Sequence, residues 1–261
     1  NVDPRLCQVR VADLVLVRKN IGKFVHQLIR SYAPDLVGFS CMSFQYATAL
    51  KLAQLVKAES PRTLTLFGGY HPTLMYEEIA QSPDAAYIDF IIRGEGEATF
   101  AQLVQALSGK IDLEEIPGLS FKRDGHFHHN PPRELLLLSD VKHPNRDVRL
   151  IKRGFHFLGS PVDTVETSRG CLLNCSFCSI TQMYGRSFRK YPLDWVIEDV
   201  GQAASFGARS IFFVDDNITL DLDHFEALCE ALISHRLNHL HYIIHASVRG
   251  ISSNPNLVRK K

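Results

Sequence analysis

The chain has 261 residues, 29 Lys and Arg against 28 Asp and Glu, and 45% hydrophobic residues. That composition excludes a disordered chain, and the near-neutral balance removes the electrostatic case for a dedicated nucleic-acid binder. No window approaches the roughly 18 apolar residues of a membrane span, and no charged-then-apolar signal segment opens the chain, so a cytoplasmic location is expected. Six cysteines are too sparse for a disulfide scaffold, but three of them fall within eight residues, which points to metal or redox chemistry.

Alternating apolar residues predict a strand over 9–17. Ile21, Val25, Leu28, Ile29 and Tyr32 then recur at helical spacing, so 21–32 is an amphipathic helix. Leu36–Ser40 reads as a strand buried on both faces, 47–59 as a helix, and Leu64–Phe67 as a strand running into Gly68-Gly69. A helix near 74–81, a strand Phe90–Ile92, the turn Gly94–Glu97 and a helix carrying Phe100, Leu103, Val104 and Leu107 continue the alternation. Alternating strands and helices with short loops predict a parallel, doubly wound sheet. Such a sheet binds ligands at the carboxyl ends of its strands. There lie Ser40–Ser43, Gly68–Pro72 and Gly94–Glu97, with glycines that allow close backbone approach.

From about 110 to 160 the alternation stops. Leu119–Arg123 and His126–His129 flank Asp124-Gly125, a hairpin signal on what reads as a connector between domains. The alternation restarts with a strand at Val162–Thr167, a helix over 193–206, a strand at Ser210–Val214, a helix over 222–235 and a strand at Tyr242–Val248. The expected domains are therefore 1–115, a connector 116–160, and a second α/β domain over 161–261.

Cys171-Leu-Leu-Asn-Cys175-Ser-Phe-Cys178 directly follows the first strand of that second domain. Three thiolates on one loop can each hold one iron of a cubane cluster and leave the fourth iron open. Soft thiolate ligation leaves zinc as an alternative, with a histidine completing the site, and Cys175–Cys178 alone could form a redox pair. Cys229 sits in the apolar stripe of its helix, Cys41 at a strand end and Cys7 near the terminus, and all three read as bland. His71 reads as a core or turn histidine, and His126, His128 and His129 as solvent-facing. Asp215 and Asp216 follow a strand and precede a helix, so helix capping competes with a site role.

The run Thr167-Ser-Arg-Gly-Cys171-Leu-Leu-Asn-Cys175-Ser-Phe-Cys178 resembles the cluster loop of radical S-adenosylmethionine (SAM) enzymes. The resemblance implies a [4Fe-4S] cluster on Cys171, Cys175 and Cys178, SAM chelated to the open iron, Phe177 near the adenine, and Asp216 toward the SAM amino group. Arg249, expected at the end of the third strand, would meet the SAM carboxylate, while Arg186 and Arg189 read as a solvated basic loop. In the first domain "PDLVGFS", "FGGYHPT" and "RGEGEATF" resemble the cobalamin-binding domain that precedes a radical SAM barrel in a large subfamily. Ser40 and Met42 would stand for its Ser-x-Leu strand end, with Met in place of Leu. Gly68 and Gly69 would bracket the cobalamin tail, with Gly94 and Gly96 on the third loop.

The implied fold is a flavodoxin-like, Rossmann-type cobalamin domain followed by a partial (β/α) radical SAM barrel. The implied activity is methyl transfer to an unactivated carbon of a small molecule, with cobalamin methylated by one SAM and the substrate radical made by a second. An electron donor such as flavodoxin or ferredoxin is implied as a partner. A radical cyclase with the same domains, and a cobalamin- or zinc-binding module without radical chemistry, are the alternatives. No individual side chain reads as catalytic. The chain opens at Asn1 without Met and closes soon after the third strand of the second domain. It is therefore expected to be a piece of a longer protein, lacking the first strand of its first domain and inactive by itself.

Overall fold

A computed structural model describes residues 2–253; the part of the 161–261 segment beyond Ser253 lies outside the described residues. The chain divides into two compact units, Asn1–Val9 with Leu14–Leu136, and Arg10–Asp13 with Leu137–Lys261.

In the first unit, α1 (Ile21–Tyr32) leads to strand β1 (Leu36–Ser40), helix α2 (Ser43–Glu59), and strand β2 (Leu64–Gly68). Two short helices, α3 (Tyr70–Leu74) and α4 (Tyr76–Gln81), then precede β3 (Phe90–Ile92) and α5 (Gly96–Leu107). β1, β2 and β3 are parallel neighbours in that order, with Ser40 opposite Gly68 and Phe67 opposite Ile91. The two-residue strand period decides which helix each side chain meets. Val37, Phe39, Phe67 and Ile91 pack with residues of α1 or α2, whereas Leu66, Phe90 and Ile92 pack with Leu103 of α5. Both faces of the sheet are thus covered, and its strands read as continuous apolar runs for that reason. Phe67 is fully buried; burying such a ring contributes roughly 1.5–3 kcal/mol.

Three expectations change in this unit. The strand predicted over 9–17 is absent: Val11 forms one isolated bridge with Arg149, and Leu14–Val17 is a 3₁₀ turn. Val11, Val15 and Leu16 stay exposed, so the apolar alternation has no sheet to face. The helix near 74–81 is two helices, because Met75 leaves the helical region at φ −121°, ψ 22°. The hairpin β4 (Leu119–Arg123) and β5 (His126–His129) joins the first sheet through antiparallel pairing of Phe121 with Phe90. Leu119 and Phe121 are buried among Phe90, Ile92 and Leu103, which ties the hairpin to this core.

The second unit carries the short β6 (His156–Phe157), β7 (Ser160–Val165), and a β8–β9 pair (Ser168–Arg169 with Arg189–Lys190) around helix α6 (Ile180–Tyr184). Helix α7 (Leu193–Ser205), β10 (Ser210–Phe213), α8 (Leu222–Ser234), β11 (His241–Ile243) and α9 (Val248–Ser253) follow. The sheet order is β11-β10-β7-β6, with β7, β10 and β11 parallel, which is the pattern of a partial (β/α) barrel. Ile211, Phe213 and Val165 are buried, while their neighbours Thr164, Phe212 and Val214 are half-buried or exposed, so the sheet has one packed and one open face. Behind it, fully buried Arg146 donates to Asp163 at 2.9 Å and to Asp199 of α7 at 2.5 Å. Arg149 adds two bonds to Asp163 at 2.9 and 3.0 Å, so the buried charges are matched and hydrogen-bonded.

The third strand is shorter than expected. It ends at Ile243, because Asn217 and Thr219 hold the amide of Ser247 at 3.2 and 3.1 Å and draw the chain away from the sheet. Arg249 therefore lies on α9, exposed, and not at a strand end. Gly250 packs so closely that a Cβ there would fall on the Thr219 side chain.

Candidate functional sites at the carboxyl ends of the strands

In the first unit the three loops expected to hold a ligand meet. The Cys41 amide donates to the Gly68 carbonyl at 3.0 Å, and the His71 amide to the Cys41 carbonyl at 3.2 Å. The Gly94 amide donates to Thr73 Oγ1 at 3.0 Å, which joins the third loop to the second. Gly69 has φ 90° and ψ −167°, a region essentially reserved for glycine. A Cβ there would stand 3.0 Å from the Cys41 main chain and from Ser40 Oγ. The cradle is therefore built of bare backbone, which suits close approach by a bulky ligand. Ser40 and Met42 are exposed on its rim, and Phe44 beside them is 82% exposed.

The remaining residues of these loops differ in their surroundings. Gly68 and Gly96 have ordinary clearance, with nearest neighbours at 3.7 and 3.6 Å, whereas Gly94 adopts φ +74° in open space. Buried Glu95 accepts the Leu136 amide at 2.8 Å. His71 lies against Tyr46, ring centroids 4.3 Å apart, and bonds Ser43 Oγ at 3.1 Å; burial pushes its pKa down. The residue stands on α3 rather than in a turn. Cys41 is buried, and desolvation raises its thiol to about 11, so it stays protonated.

In the second unit the cysteine loop leaves the carboxyl end of β7. Gly170, at φ +85°, precedes it; a Cβ there would fall on the Ser187 carbonyl, so only glycine lets the loop pass that close. Cys171 is buried, Cys178 half-buried and Cys175 exposed. Desolvation raises the Cys171 pKa, and Asp216, Cys178 and Cys175 add to the rise, so these groups share one neighbourhood. Among the described residues no three His, Cys, Asp or Glu side chains gather closely enough to hold one metal ion. A cluster takes one thiolate per iron, so three soft donors spread along one loop fit it, with no fourth cysteine in the motif.

The two aspartates after β10 separate by parity. Asp215 is 1% exposed and accepts from Thr167 Oγ1 at 2.6 Å and Ser168 Oγ at 2.5 Å, so it is a strut between strand ends. Asp216 continues the open-face series Phe212, Val214 and is exposed. Desolvation raises its pKa, while a hydrogen bond from the Gly170 amide opposes that rise. Neither caps a helix: Asn217 caps the next 3₁₀ turn and Asp221 caps α8, accepting from the His224 amide at 2.9 Å. Phe177 is 91% exposed, beside Leu172 and Leu173 at 52% and 47%, so the loop presents apolar side chains to solvent.

Several residues here escaped sequence reasoning. Glu166 accepts from Arg169 Nε at 2.8 Å and from the Tyr191 hydroxyl at 2.9 Å, fixing the approach to the cysteine loop. Burial raises its pKa, opposed by Arg169 and Tyr191. Tyr191 stacks on Trp195, which stacks on His143. His245 lies beyond β11 near Asp216, with no local motif to mark it. Gly170 did carry a signal, since it directly precedes the first cysteine.

Residues 8–104 match the family model described as the B12 binding domain. An uncharacterized methyltransferase, PH0819 of Pyrococcus horikoshii, is 33% identical over 199 residues, 76% of this chain and 43% of the relative. The hopanoid C-3 methylase of Methylococcus capsulatus is 29% identical over 242 residues, 90% of this chain and 44% of the relative. The chain thus spans less than half the length of these curated relatives. Among solved structures, the radical SAM methyltransferase TsrM from Kitasatospora setae, with cobalamin and a [4Fe-4S] cluster bound, superposes with a TM-score of 0.70. The identity is 17%, covering 90% of this chain and 48% of that one.

Proposed function

Since this chain belongs to the family that joins a B12-binding domain to a radical SAM domain, we propose that it takes part in methyl transfer to an unactivated carbon of a small molecule. In this reading the first unit holds cobalamin in the Ser40, Gly68-Gly69 and Gly94–Gly96 cradle, with Met42 on its rim. The second holds a [4Fe-4S] cluster on Cys171, Cys175 and Cys178, with SAM beside it. When bound, these groups supply reductive cleavage of SAM to a 5′-deoxyadenosyl radical and a transferable methyl group. The chain's own residues do the positioning. Gly170 and Glu166 hold the cysteine loop, Asp216 offers a carboxylate to the SAM amino group, and Phe177 offers a face to the adenine. Arg249 is assigned to the SAM carboxylate, reached from α9. Reducing equivalents enter from a donor such as flavodoxin or ferredoxin.

The observation that carries the reading is the loop of three thiols at the carboxyl end of a parallel strand, with Asp216 beside it. Anaerobic reconstitution with iron and sulfide tests it. Alanine at Cys171, Cys175 or Cys178 is expected to abolish cluster iron, whereas Cys229→Ala keeps it. Full iron in Cys175→Ala would sink the cluster assignment. Equilibrium dialysis with hydroxocobalamin tests the first unit separately, and no binding by folded protein would remove cobalamin from the reading.

A further inference from the structure

We propose that an open cavity at the amino ends of the second unit's strands binds a small phosphate ester with an apolar body, at a site separate from the one at the carboxyl ends. The cavity measures about 670 Å³, within the range of small-molecule sites. It lies where β7, β10 and β11 begin. There the Arg209 amide donates to the Pro161 carbonyl at 2.9 Å, and the His241 amide to the Arg209 carbonyl at 3.0 Å. β7 runs six residues, Ser160–Val165, so at roughly 3.3 Å per residue about 15–20 Å separates this cavity from the cysteine loop. A ligand bound here does not compete with one at the other end.

The lining is of two kinds. Arg209, His239 and His241 contribute to it, as do Leu158, Pro161 and Leu240, and no Asp or Glu does. Among the described residues no side chain pairs with the Arg209 guanidinium or the His241 ring. His239 Nδ1 lies 2.8 Å from the Arg236 carbonyl, which leaves its Nε2 without a protein partner among the described residues. Three such side chains suit a phosphoryl group, whose three terminal oxygens outnumber a carboxylate's two, and the planar guanidinium can bind two of them at once. A phosphate monoanion also carries an O–H, so an imidazole nitrogen is matched whether it donates or accepts. Helix α7 ends beside the cavity, and a helix carboxyl end disfavours anions. Its last carbonyls are already taken, however: those of Gln202, Ala203 and Ala204 accept the amides of Phe206, Ala208 and Gly207.

The apolar lip supplies an independent observation. Phe157 pairs with Ser160, so Leu158 and Gly159 form a two-residue hairpin turn, with φ 48° and 81°. Turns with two positive φ angles select Asn and Gly, because a larger side chain is disfavoured there. Leu158 is also 92% exposed, so packing does not offset that strain. A leucine that strains its turn and stays in water serves no folding purpose. On the lip of a cavity it offers an apolar surface to the body of a ligand.

The test is calorimetric titration of the full-length protein with phenyl phosphate and, separately, with inorganic phosphate, circular dichroism confirming that each variant is folded. Wild type is expected to bind phenyl phosphate saturably and inorganic phosphate more weakly. Arg209→Gln alters an exposed side chain and keeps the main-chain bonds of the residue. It is expected to weaken both probes roughly tenfold. Leu158→Asn installs the residue that the turn prefers, so it is expected to unfold no earlier than wild type. It should nonetheless weaken phenyl phosphate roughly threefold or more and leave inorganic phosphate unchanged. A wild-type protein that binds neither probe at millimolar concentration overturns the proposal without recourse to any variant. So does wild-type affinity in Arg209→Gln, since binding would then lie elsewhere on the molecule. Unchanged phenyl phosphate affinity in Leu158→Asn overturns the assignment of the apolar body to this lip.

Discussion

Replacing Gly69 by alanine puts a methyl group where the backbone leaves no room for one. The residue sits at φ 90°, ψ −167°, and occupying that region with a side chain costs about 1–3 kcal/mol. The new Cβ also lies 3.0 Å from both the amide nitrogen and the carbonyl oxygen of Cys41, main-chain atoms bonded to the Gly68 carbonyl and the His71 amide. Shifting them adds about 1 kcal/mol or more, for a total of roughly 2–4 kcal/mol. The adjacent Gly68 is the internal control. A Cβ there meets nothing closer than 3.7 Å, so Gly68→Ala is expected within about 1 kcal/mol of wild type. Hydrogen exchange at the Cys41 amide, which bonds the Gly68 carbonyl, reads the difference locally. Protection there should fall roughly 30- to 700-fold in Gly69→Ala. The single tryptophan, Trp195, lies in the second unit and should report no change. Hydroxocobalamin binding should weaken in the same variant and persist in Gly68→Ala. Equal protection in the two variants, within about 0.5 kcal/mol, would refute the argument that bare backbone forms the cradle.

The other predictions concern the second unit. Asp215→Asn removes one charged acceptor from the Thr167 and Ser168 hydroxyls and is expected to cost about 1–3 kcal/mol, read by urea denaturation followed at Trp195. An unchanged midpoint would show that Asp215 is not the strut described. Asp163 is desolvated, yet Arg149, the Thr164 amide and Arg146 hold its pKa below the usual carboxylate value. A depressed folded pKa contributes stability that is present above the unfolded value of about 3.9 and is lost as pH falls through the folded pKa. Asp163→Asn should therefore be less stable than wild type at neutral pH, with the gap closing below about pH 4. A gap that stays constant through that range would show that the charge does not carry the effect.

Much of the fold was readable because its signals are local. The apolar spacing of Ile21–Tyr32 and Leu222–Ser234, and the strand-end glycines, need no knowledge of distant neighbours. Asp124-Gly125 gave the turn between β4 and β5, and both residues do adopt positive φ. What it could not give was the hairpin's destination, since that depends on Phe121 meeting Phe90 across the sheet. The segment 9–17 failed for the converse reason: its alternation is strand-like, but no strand lies beside it. At the site, the cysteine loop was legible as a spacing. The different fates of Asp215 and Asp216 were not, because they turn on which strand face is covered. Glu166 carries no local signature either, since beside the nearby Arg169 it is held by Tyr191, 25 residues along the chain.

The stretch Arg10–Asp13 is counted with the second unit although both of its flanks belong to the first. Its ties are to late residues: the Val11 amide donates to the Val148 carbonyl at 2.9 Å, and the Leu150 amide to the Val11 carbonyl at 2.8 Å. On a ribosome adding about 5–20 residues per second, those partners emerge on the order of ten seconds after Val11 does. During that interval the first unit can complete its own sheet while this short stretch waits unpaired. Cutting the gene between Leu136 and Leu137 would strand it on the wrong product. Each half made separately would then carry a defect that has nothing to do with its ligand, and adding residues 10–13 back as a peptide could mend the second half alone.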